Sequence, residues 1–505
     1  QSFTIRGITV RKVLICALAL GGFAASAHAA DLSVDSMKDP LPDTLAYAGV
    51  TFYGTIDVGY GYQSHGAPSS DAFYVGSDWT SYGSKFANAP QQGFTNNALS
   101  QSTLGVKLEE AVGMGFVAIG KLDTGIDPAF GTIADACKSL IENNGKPTGP
   151  GMTVNGDGSR CGQFINGEAY AGLSNASYGT LKVGRQNSLV NDGMGAYDAI
   201  AGSYAFSLIS YSGTPGPGIG STETARWDNS IKYIYQYGPA HVAGMYTSGG
   251  QDTPIIEGGY GGNAGFTWKG FSVDGYYTKE NGAVNLSTIG YTSGAVFSGA
   301  GSKCDASIGG CPNALNGTVY NDEAFDIMAK YTMEFGGGFK DEGPSSKLTF
   351  YGGYQHVDQT NPDHVQSYYN GMDTEGGYQF FTSTSATAQA LGGTKTLETE
   401  WAGAKYEMGP WTFAGAYYHW SQDAYVAAGG AVCSTNGSGI KSSNCAGDVN
   451  QGSFVVDYAF NKHFDVYAGL TYSDINGGLA NGFYKETSSN TESNTAVATG
   501  MRLKF

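Results

Sequence analysis

Apolar and polar residues alternate with a period of two through most of the chain, a pattern that predicts β-strands. In "VTFYGTIDVGYGY", Phe52, Ile56 and Val58 share one face, whereas Thr55 and Asp57 share the other. The runs "SFVVDYAF", "FDVYAGLTY" and "AVATGMRLKF" divide in the same way. About sixteen strands are predicted, near residues 50–62, 99–110, 114–124, 163–173, 178–186, 225–236, 240–248, 262–268, 271–280, 322–334, 346–357, 396–407, 411–420, 451–460, 463–473 and 494–505.

The links between these runs alternate in length. They are short after the even-numbered runs, as in "GPA" at 238–240, and long after the odd-numbered runs, as at 125–162. Short turns at one end and long loops at the other are typical of outer-membrane barrels, and a closed barrel leaves no unpaired edge in lipid. The sequence therefore predicts an all-β, transmembrane antiparallel β-barrel.

A secreted β-sandwich also alternates, but it would place its aromatic residues inside. The regular loop rhythm and the aromatic residue on the final strand argue against it. Trp227, Tyr235, Trp411 and Tyr472 lie near strand ends and are candidates for interfacial aromatic girdles, although each could be an ordinary packed surface aromatic.

The first residues form a separate segment. Arg6, Arg11 and Lys12 precede the apolar run "VLICALALGGFAA", and Ala27-His28-Ala29 follows it. This order predicts a signal peptide over 1–29, cleaved before Ala30, because the apolar run is too short for a spanning helix of roughly 20 residues. A mature amino-terminal segment (30–49) and the barrel (50–505) are expected to follow.

Composition supports an exported β-protein. The chain has 505 residues with 78 glycines, 34 tyrosines and only 14% charged residues, which suits short strands and glycine-rich turns. Loss of three basic residues with the leader moves the formal charge from -17 to about -20. No Lys/Arg cluster stands out, so nucleic acid is not an expected partner.

The cysteines suggest an oxidising compartment. Cys16 leaves with the leader, and the other six fall into three local pairs within long links. An even number in an exported chain favours disulfides, and the spacing within the pairs does not fit a zinc site. The expected disulfides are Cys137–Cys161, Cys304–Cys311 and Cys433–Cys445.

Enzyme signatures are missing from the sequence. It has no G-x-S-x-G nucleophile motif and no H-E-x-x-H metal motif, and its histidines are scattered. No catalytic residue, metal or cofactor is therefore expected. A barrel enzyme remains the less favoured alternative, and the long loops could also serve as an adhesin or receptor surface.

Four stretches together carry a family resemblance: "VTFYGTIDVGYGY", "VGRQNSLVNDGMGAYD", "RWDNSIKY" and "FVVDYAFNKHFDVYAGLTYS" with terminal Phe505. With them the chain resembles the general Gram-negative outer-membrane porin family. The resemblance implies a homotrimeric, water-filled barrel of 16 strands through which small hydrophilic solutes and ions diffuse. It also implies that Phe505 is the recognition signal for the outer-membrane assembly machinery.

In that family the third outer loop folds into the barrel and faces basic residues on its wall. The resemblance places residues 187–224 in this constriction loop, between Arg185 and Arg226 on the basic side. Asp192, Asp198 and, near the loop exit, Glu223 would supply carboxylates. Thr103 stands where some members carry another arginine, which thins the basic set.

Alternation adds Lys182 and Lys232 to the predicted lumen face, with Arg226 and Asp228 alongside Lys232 and with Trp227 on the opposite face. The same test gives further lumen candidates, each of which could simply line a wide channel without setting selectivity: Asp57, Lys107, Lys121, Asp123, Asp274, Asp326 and Lys330. Strict alternation sends Arg185 outward. Because an arginine facing lipid costs about 2–4 kcal/mol near the midplane, a local break at Gly184 is predicted.

Two properties of the channel stay open in the sequence. The thin arginine set facing loop carboxylates gives a weak expectation of cation preference. General diffusion and a solute-selective channel of the same architecture are both compatible with the pattern.

Overall fold

The structure is a computed structural model. It describes residues 45–64, 91–129, 131–133, 164–209, 226–248, 258–288, 315–336, 346–360, 373–375, 378–381, 394–426, 432–433, 447–476 and 493–505. The predicted signal peptide, Glu223 and five of the six paired cysteines lie outside these residues, and Cys433 lies in a short strand of which only the backbone is described.

Sixteen long strands form the barrel. In chain order, β1 to β16 are Val50–Gln63, Thr103–Gly113, Phe116–Asp127, Ala169–Asn175, Gly179–Asn187, Arg226–Tyr237, Ala240–Thr247, Gly258–Trp268, Phe271–Thr288, Leu315–Phe335, Ser346–Thr360, Lys395–Met408, Trp411–Gln422, Gly447–Ala459, Phe464–Asn476 and Ser493–Lys504. One α-helix in the described residues, α1, covers Leu189–Tyr197. Shorter strands cover Leu45–Tyr47, Gln91–Asn96, Thr132–Ile133, Asp373–Glu375, Tyr378–Phe381, Tyr425–Val426 and Val432–Cys433.

The barrel closes between its first and last strands. Every long strand pairs antiparallel with the next, and β16 pairs with β1 from Thr55↔Lys504 to Gln63↔Ala496. Phe505 extends this seam, because its backbone N–H and carbonyl both bond to Gly54, at 3.1 and 3.0 Å. The predicted fold class, strand number and alternation of short turns with long connections are confirmed.

Some strand boundaries differ from the prediction. β9 continues to Thr288 and β10 begins at Leu315, because backbone pairing continues from Ala283↔Tyr320 to Thr288↔Leu315 beyond the alternating residues. β4 begins only at Ala169, where 163 was expected. The preceding residues instead turn toward β3, where Asn166 Oδ1 accepts a hydrogen bond from the Gly125 N–H at 2.7 Å.

The two faces of the wall differ in chemistry. Large apolar side chains on the outer face are exposed, whereas many inward-facing residues are polar and buried. This is the division expected of a barrel in lipid. Exposed outer residues include Phe52, Leu104, Leu122, Leu181, Ile231, Phe325, Phe350, Phe454 and Leu470. No helix in the described part of the chain is long and apolar enough to cross a membrane.

Candidate functional site

Helix α1 begins the connection between β5 and β6. Ser188 is its N-cap, because its hydroxyl accepts a hydrogen bond from the Asn191 N–H at 3.1 Å. Asp192 in the first turn is favoured by the positive end of the helix dipole. Leu189, Val190, Met194 and Tyr197 are buried, whereas Asp192 remains half exposed.

The buried face of α1 packs against lumen-side residues of strands well beyond its own hairpin. Its partners in one hydrophobic cluster are Met245, Tyr276, Met328, Trp401 and Tyr418, on β7, β9, β10, β12 and β13. Three hydrogen bonds fix the end of the helix. Trp401 Nε1 donates to the Tyr197 carbonyl at 3.0 Å, Lys330 Nζ donates to the Ala196 carbonyl at 3.0 Å, and the Tyr197 hydroxyl bonds to Asp274. The described part of the third loop, up to residue 209, therefore lies inside the barrel, as predicted.

The residues after α1, 198–209, form what we call the anchor segment. It packs against β13 to β16 and against residues 98–101, just before β2. The Ala205 N–H and the Ser203 hydroxyl donate to the Ala98 carbonyl at 2.9 and 2.7 Å, and Gln451 Nε2 donates to the Phe206 carbonyl at 3.1 Å. These contacts fasten the loop to the wall.

Close approach of the anchor segment requires glycine on the wall. A Cβ built on Gly469 would lie 2.5 Å from the Phe206 ring, and one on Gly403 would lie 2.7 Å from the Ala199 Cβ. Both distances are shorter than van der Waals contact allows. These glycines therefore leave room for the loop.

Asp198 faces the wall rather than the passage. It is buried, and its carboxylate accepts hydrogen bonds from the Tyr418 hydroxyl at 2.7 Å and the Gly202 N–H at 2.8 Å. Burial raises the pKa of the Asp198 carboxyl above its ordinary value, although these hydrogen bonds oppose the shift. The expectation that Asp198 supplies a carboxylate to the passage is not met by its position, because it belongs to the loop anchor.

Asp192 is the loop carboxylate that meets the basic wall. Lys232 Nζ lies 2.9 Å from Asp192 Oδ2 and also donates to the Asn187 carbonyl at 2.5 Å. Lys232 is 1% exposed and Asp192 is 49% exposed, so the pair presents its acidic member to the lumen. Asp192 and Lys232, which the sequence assigns to the constriction separately, lie next to each other in the structure.

More lysines occupy the same wall. Lys121 Nζ lies 2.6 Å from Glu168 and 2.9 Å from Asp123. Lys107 Nζ lies 4.9 Å from the centre of the Tyr53 ring, and Lys182 Nζ lies 4.5 Å from the centre of the Tyr170 ring. β2 to β6 thus carry a lysine-rich surface around the start of the loop.

Arg185 takes a different position from that expected. Its side chain is buried, and its guanidinium donates to Asp228 at 2.7 Å and to the carbonyls of Gly167 and Asn166 at 2.9 and 3.0 Å. These bonds join β5 to β6 and to the residues before β4. The carboxylate of Asp192 is held by Lys232 instead.

The predicted break beside Gly184 is present. Gly184 pairs with Ser230 but Gln186 pairs with Trp227, so two residues of β6, Asp228 and Asn229, oppose Arg185 alone. Gly184 has φ +136° and Asn229 has φ +48°. This β-bulge changes which residues of β6 share a face.

The bulge corrects the expected side of Trp227. Ser230 and Lys232 face the lumen, and the extra residue brings Trp227 to that same side, where it joins the cluster around α1. The interpretation of Trp227 as a lipid-facing residue is wrong, because alternation cannot be carried across a bulge. Arg226 pairs with Asn187 at the loop end of β6, and its part in the constriction stays a prediction.

Sequence reasoning missed most of the residues that position the loop. Trp401, Tyr418, Gly403 and Gly469 lie on distant strands and gave no local signal. Lys330 was assigned to the lumen by alternation, but its bond to α1 was not foreseen. Ser188 followed by Asp192 was a helix-start signal that could have been read. No group of three or more His, Cys, Asp or Glu side chains within the described ranges is arranged to hold a metal ion.

A closed barrel with an apolar outer face, a polar inner face and a long loop fixed inside it defines a transmembrane β-barrel pore. The sequence model for Gram-negative porins matches residues 16–340. The chain belongs to this family of outer-membrane proteins.

Individual relatives are distant. An outer-membrane porin protein of Bordetella pertussis is 25% identical over 224 residues, and the match spans 44% of either chain. Among solved structures, the anion-selective porin from Comamonas acidovorans is 14% identical with a TM-score of 0.53, covering 90% of this chain and 99% of that one. The trimer form of OmpT from Vibrio cholerae is also 14% identical, covering 90% of this chain and 99% of that one, with a TM-score of 0.49. The Comamonas acidovorans structure shows the shared fold.

Proposed function

We propose that the chain forms a water-filled channel through the outer membrane for passive diffusion of small hydrophilic solutes and ions. The observation that carries this proposal is the third loop, held inside a closed barrel while it leaves Asp192 half exposed toward the lumen. A loop fixed on the wall narrows the barrel without filling it. No covalent step and no cofactor is needed.

Such a channel selects solutes by their size, charge and polarity. The loop limits solute size, and the fixed charges of Asp192 and the lysine wall orient water and attract or repel ions. A polar solute can replace the hydrogen bonds that water makes with these groups. An apolar solute cannot, so its passage is disfavoured.

Two measurements test the channel directly. Purified, folded protein is reconstituted in a planar bilayer and in liposomes, and we expect stepwise ion conductance and swelling that falls with increasing sugar size. A folded protein that gives neither conductance nor swelling would refute the proposal. Block of the ion current by one sugar at low concentration would instead favour the solute-selective version of the channel.

Family membership supports two further parts of the proposal. We infer a homotrimer, and we infer that Phe505 at the closing seam is the residue that the assembly machinery recognises. Crosslinking in the native membrane should give a trimer, and Phe505→Ala should lower the amount of folded protein in the outer membrane. Normal assembly of this variant would remove Phe505 from that role.

The cysteine pairs and the signal peptide also remain proposals. Non-reduced peptide mapping of the exported protein should link Cys137 to Cys161, Cys304 to Cys311 and Cys433 to Cys445. Free thiols at these positions would refute the pairing. The same sample should begin at Ala30 if the leader is cleaved as proposed.

A further inference from the structure

Two pairs of lysines lie directly opposite each other on neighbouring strands. Lys107 on β2 pairs in register with Lys121 on β3, and Lys182 on β5 pairs with Lys232 on β6. Their sequence neighbours are exposed on the outer face, which puts the lysines on the lumen side. These exposed neighbours are Leu108, Leu122, Leu181, Val183, Ile231 and Tyr233. Like charges directly opposite each other destabilise a sheet. Each of the two pairs therefore needs either neighbouring opposite charges or a functional reason to be there.

One member of each pair is compensated. Lys121 lies within 3 Å of both Asp123 and Glu168, and Lys232 lies 2.9 Å from Asp192. Within the described part of the chain, Lys107 and Lys182 have no carboxylate at ion-pair distance, and each lies over a tyrosine ring. A ring face stabilises an ammonium without cancelling its charge. Because Lys121 has two carboxylates, the four charges around the first pair sum to zero. The second pair has only Asp192, so Lys182 keeps an uncompensated positive charge.

Lys330 on β10 adds a second charge of this kind. It donates to the Ala196 carbonyl at the end of α1 and lies 5.0 Å from the centre of the Tyr197 ring. It too has no carboxylate partner among the described residues. Because it touches the inward loop, its charge acts at the level of the constriction.

The negative charges of the lumen are arranged differently. Asp57, Asp198 and Asp326 have no cation at ion-pair distance in the described residues, but all three are buried, at 0, 2 and 0% exposure. A permeating ion therefore cannot reach their oxygens. Glu109 and Glu334 are exposed, but Glu334 lies four residues nearer the short-turn rim than Lys330, and Glu109 lies near the turn end of β2. The accessible, uncompensated charge beside the loop is positive.

We propose that the channel prefers small anions, and that Lys182 and Lys330 create this preference. The inference rests on the proposed channel function and names its favoured solutes. It replaces the weak expectation of cation preference, because the formal charge of -17 is a sum over the whole chain and does not describe the passage. Charge of one sign in a low-dielectric cleft concentrates ions of the opposite sign.

The test is the reversal potential of the reconstituted full-length channel across a KCl gradient. We expect chloride to be more permeant than potassium, and Lys182→Gln or Lys330→Gln to lower the chloride-to-potassium permeability ratio by roughly twofold, with a larger loss in the double glutamine variant of Lys182 and Lys330. The preference should be strong at ~0.01 M salt and weak at ~1 M, since the screening length falls from about 30 Å to 3 Å.

Two controls keep the outcome interpretable. Lys279→Gln removes a lysine from the outer face, where it pairs with Glu323 at 3.4 Å, and should leave the permeability ratio unchanged. Lys182→Arg keeps the charge and should keep the preference. A conducting wild-type channel that prefers potassium, or glutamine variants that behave like Lys279→Gln, would overturn the inference while leaving the channel function intact. A folded protein without conductance would overturn both.

Discussion

The two described parts of the inward loop, α1 and the anchor segment, contact the barrel wall in different ways. The anchor segment is almost entirely buried, and it uses backbone bonds, Phe206 and glycines on the wall to hold its place. Helix α1 buries one face but leaves Asp192 half exposed beside the lysine wall. The comparison indicates a division of roles: the anchor segment only holds the loop on the wall, whereas α1 is held there too and also carries the carboxylate that a solute would meet.

The largest expected effect is on the anchor segment. Phe206→Ala removes a ring that is 1% exposed and packs edge-on against Tyr467, so loop docking should lose about 3–5 kcal/mol. We expect faster proteolysis within 187–224 and passage of larger sugars in liposome swelling. Phe454→Ala, which removes a half-exposed ring from the outer face, is the matched control. Equal behaviour of the two variants would contradict an anchoring role.

A smaller effect is expected at the helix. Asp192→Asn removes the carboxylate that pairs with the buried ammonium of Lys232, which then keeps its hydrogen bond to the Asn187 carbonyl. Because a buried charge loses its partner, the free energy of unfolding should fall by about 1–3 kcal/mol. On detergent gels, the faster-migrating band of the folded barrel should disappear at a lower temperature than in the wild type. The double variant Asp192→Asn/Lys232→Met should recover part of the loss. No recovery would show that the pair is not the source of the effect.

The smallest effect concerns pH. The pKa of Asp198 is raised by burial, so the docked loop binds its proton more tightly than the released loop does. The contribution of Asp198 to docking is therefore greatest below the ordinary carboxyl pKa and declines as pH rises through the raised value. Current flicker from loop motion should increase modestly from pH 4 to pH 8 in the wild-type channel. Asp198→Asn should flatten this trend, and an unchanged trend would assign it to other groups.

Much of the fold could be predicted because barrel strands carry their own signal. Alternation located all sixteen strands, and loop lengths gave the two ends of the barrel. The site was harder to predict because its determinants are tertiary. Trp227 was placed on the wrong face by a single extra residue in β6. Asp198 became an anchor because Tyr418, more than two hundred residues later, bonds to it.

The lysine pairs show a second limit of sequence reasoning. Alternation gave the lumen side of Lys107, Lys121, Lys182 and Lys232 correctly. It could not show that these four residues form two directly opposed pairs, because register depends on how neighbouring strands align. The sequence shows on which face of a strand a residue lies, but not which residue lies opposite it on the neighbouring strand.

These opposed lysines also bear on how the barrel reaches its correct register. If one strand of the β2–β3 pair or the β5–β6 pair slipped by a single residue relative to its neighbour, its lysine would turn toward lipid. Each misplaced charge near the midplane would cost about 2–4 kcal/mol. The same lysines would therefore disfavour misaligned strand pairs during membrane insertion, so a residue on the channel wall can also help to set the register of the barrel.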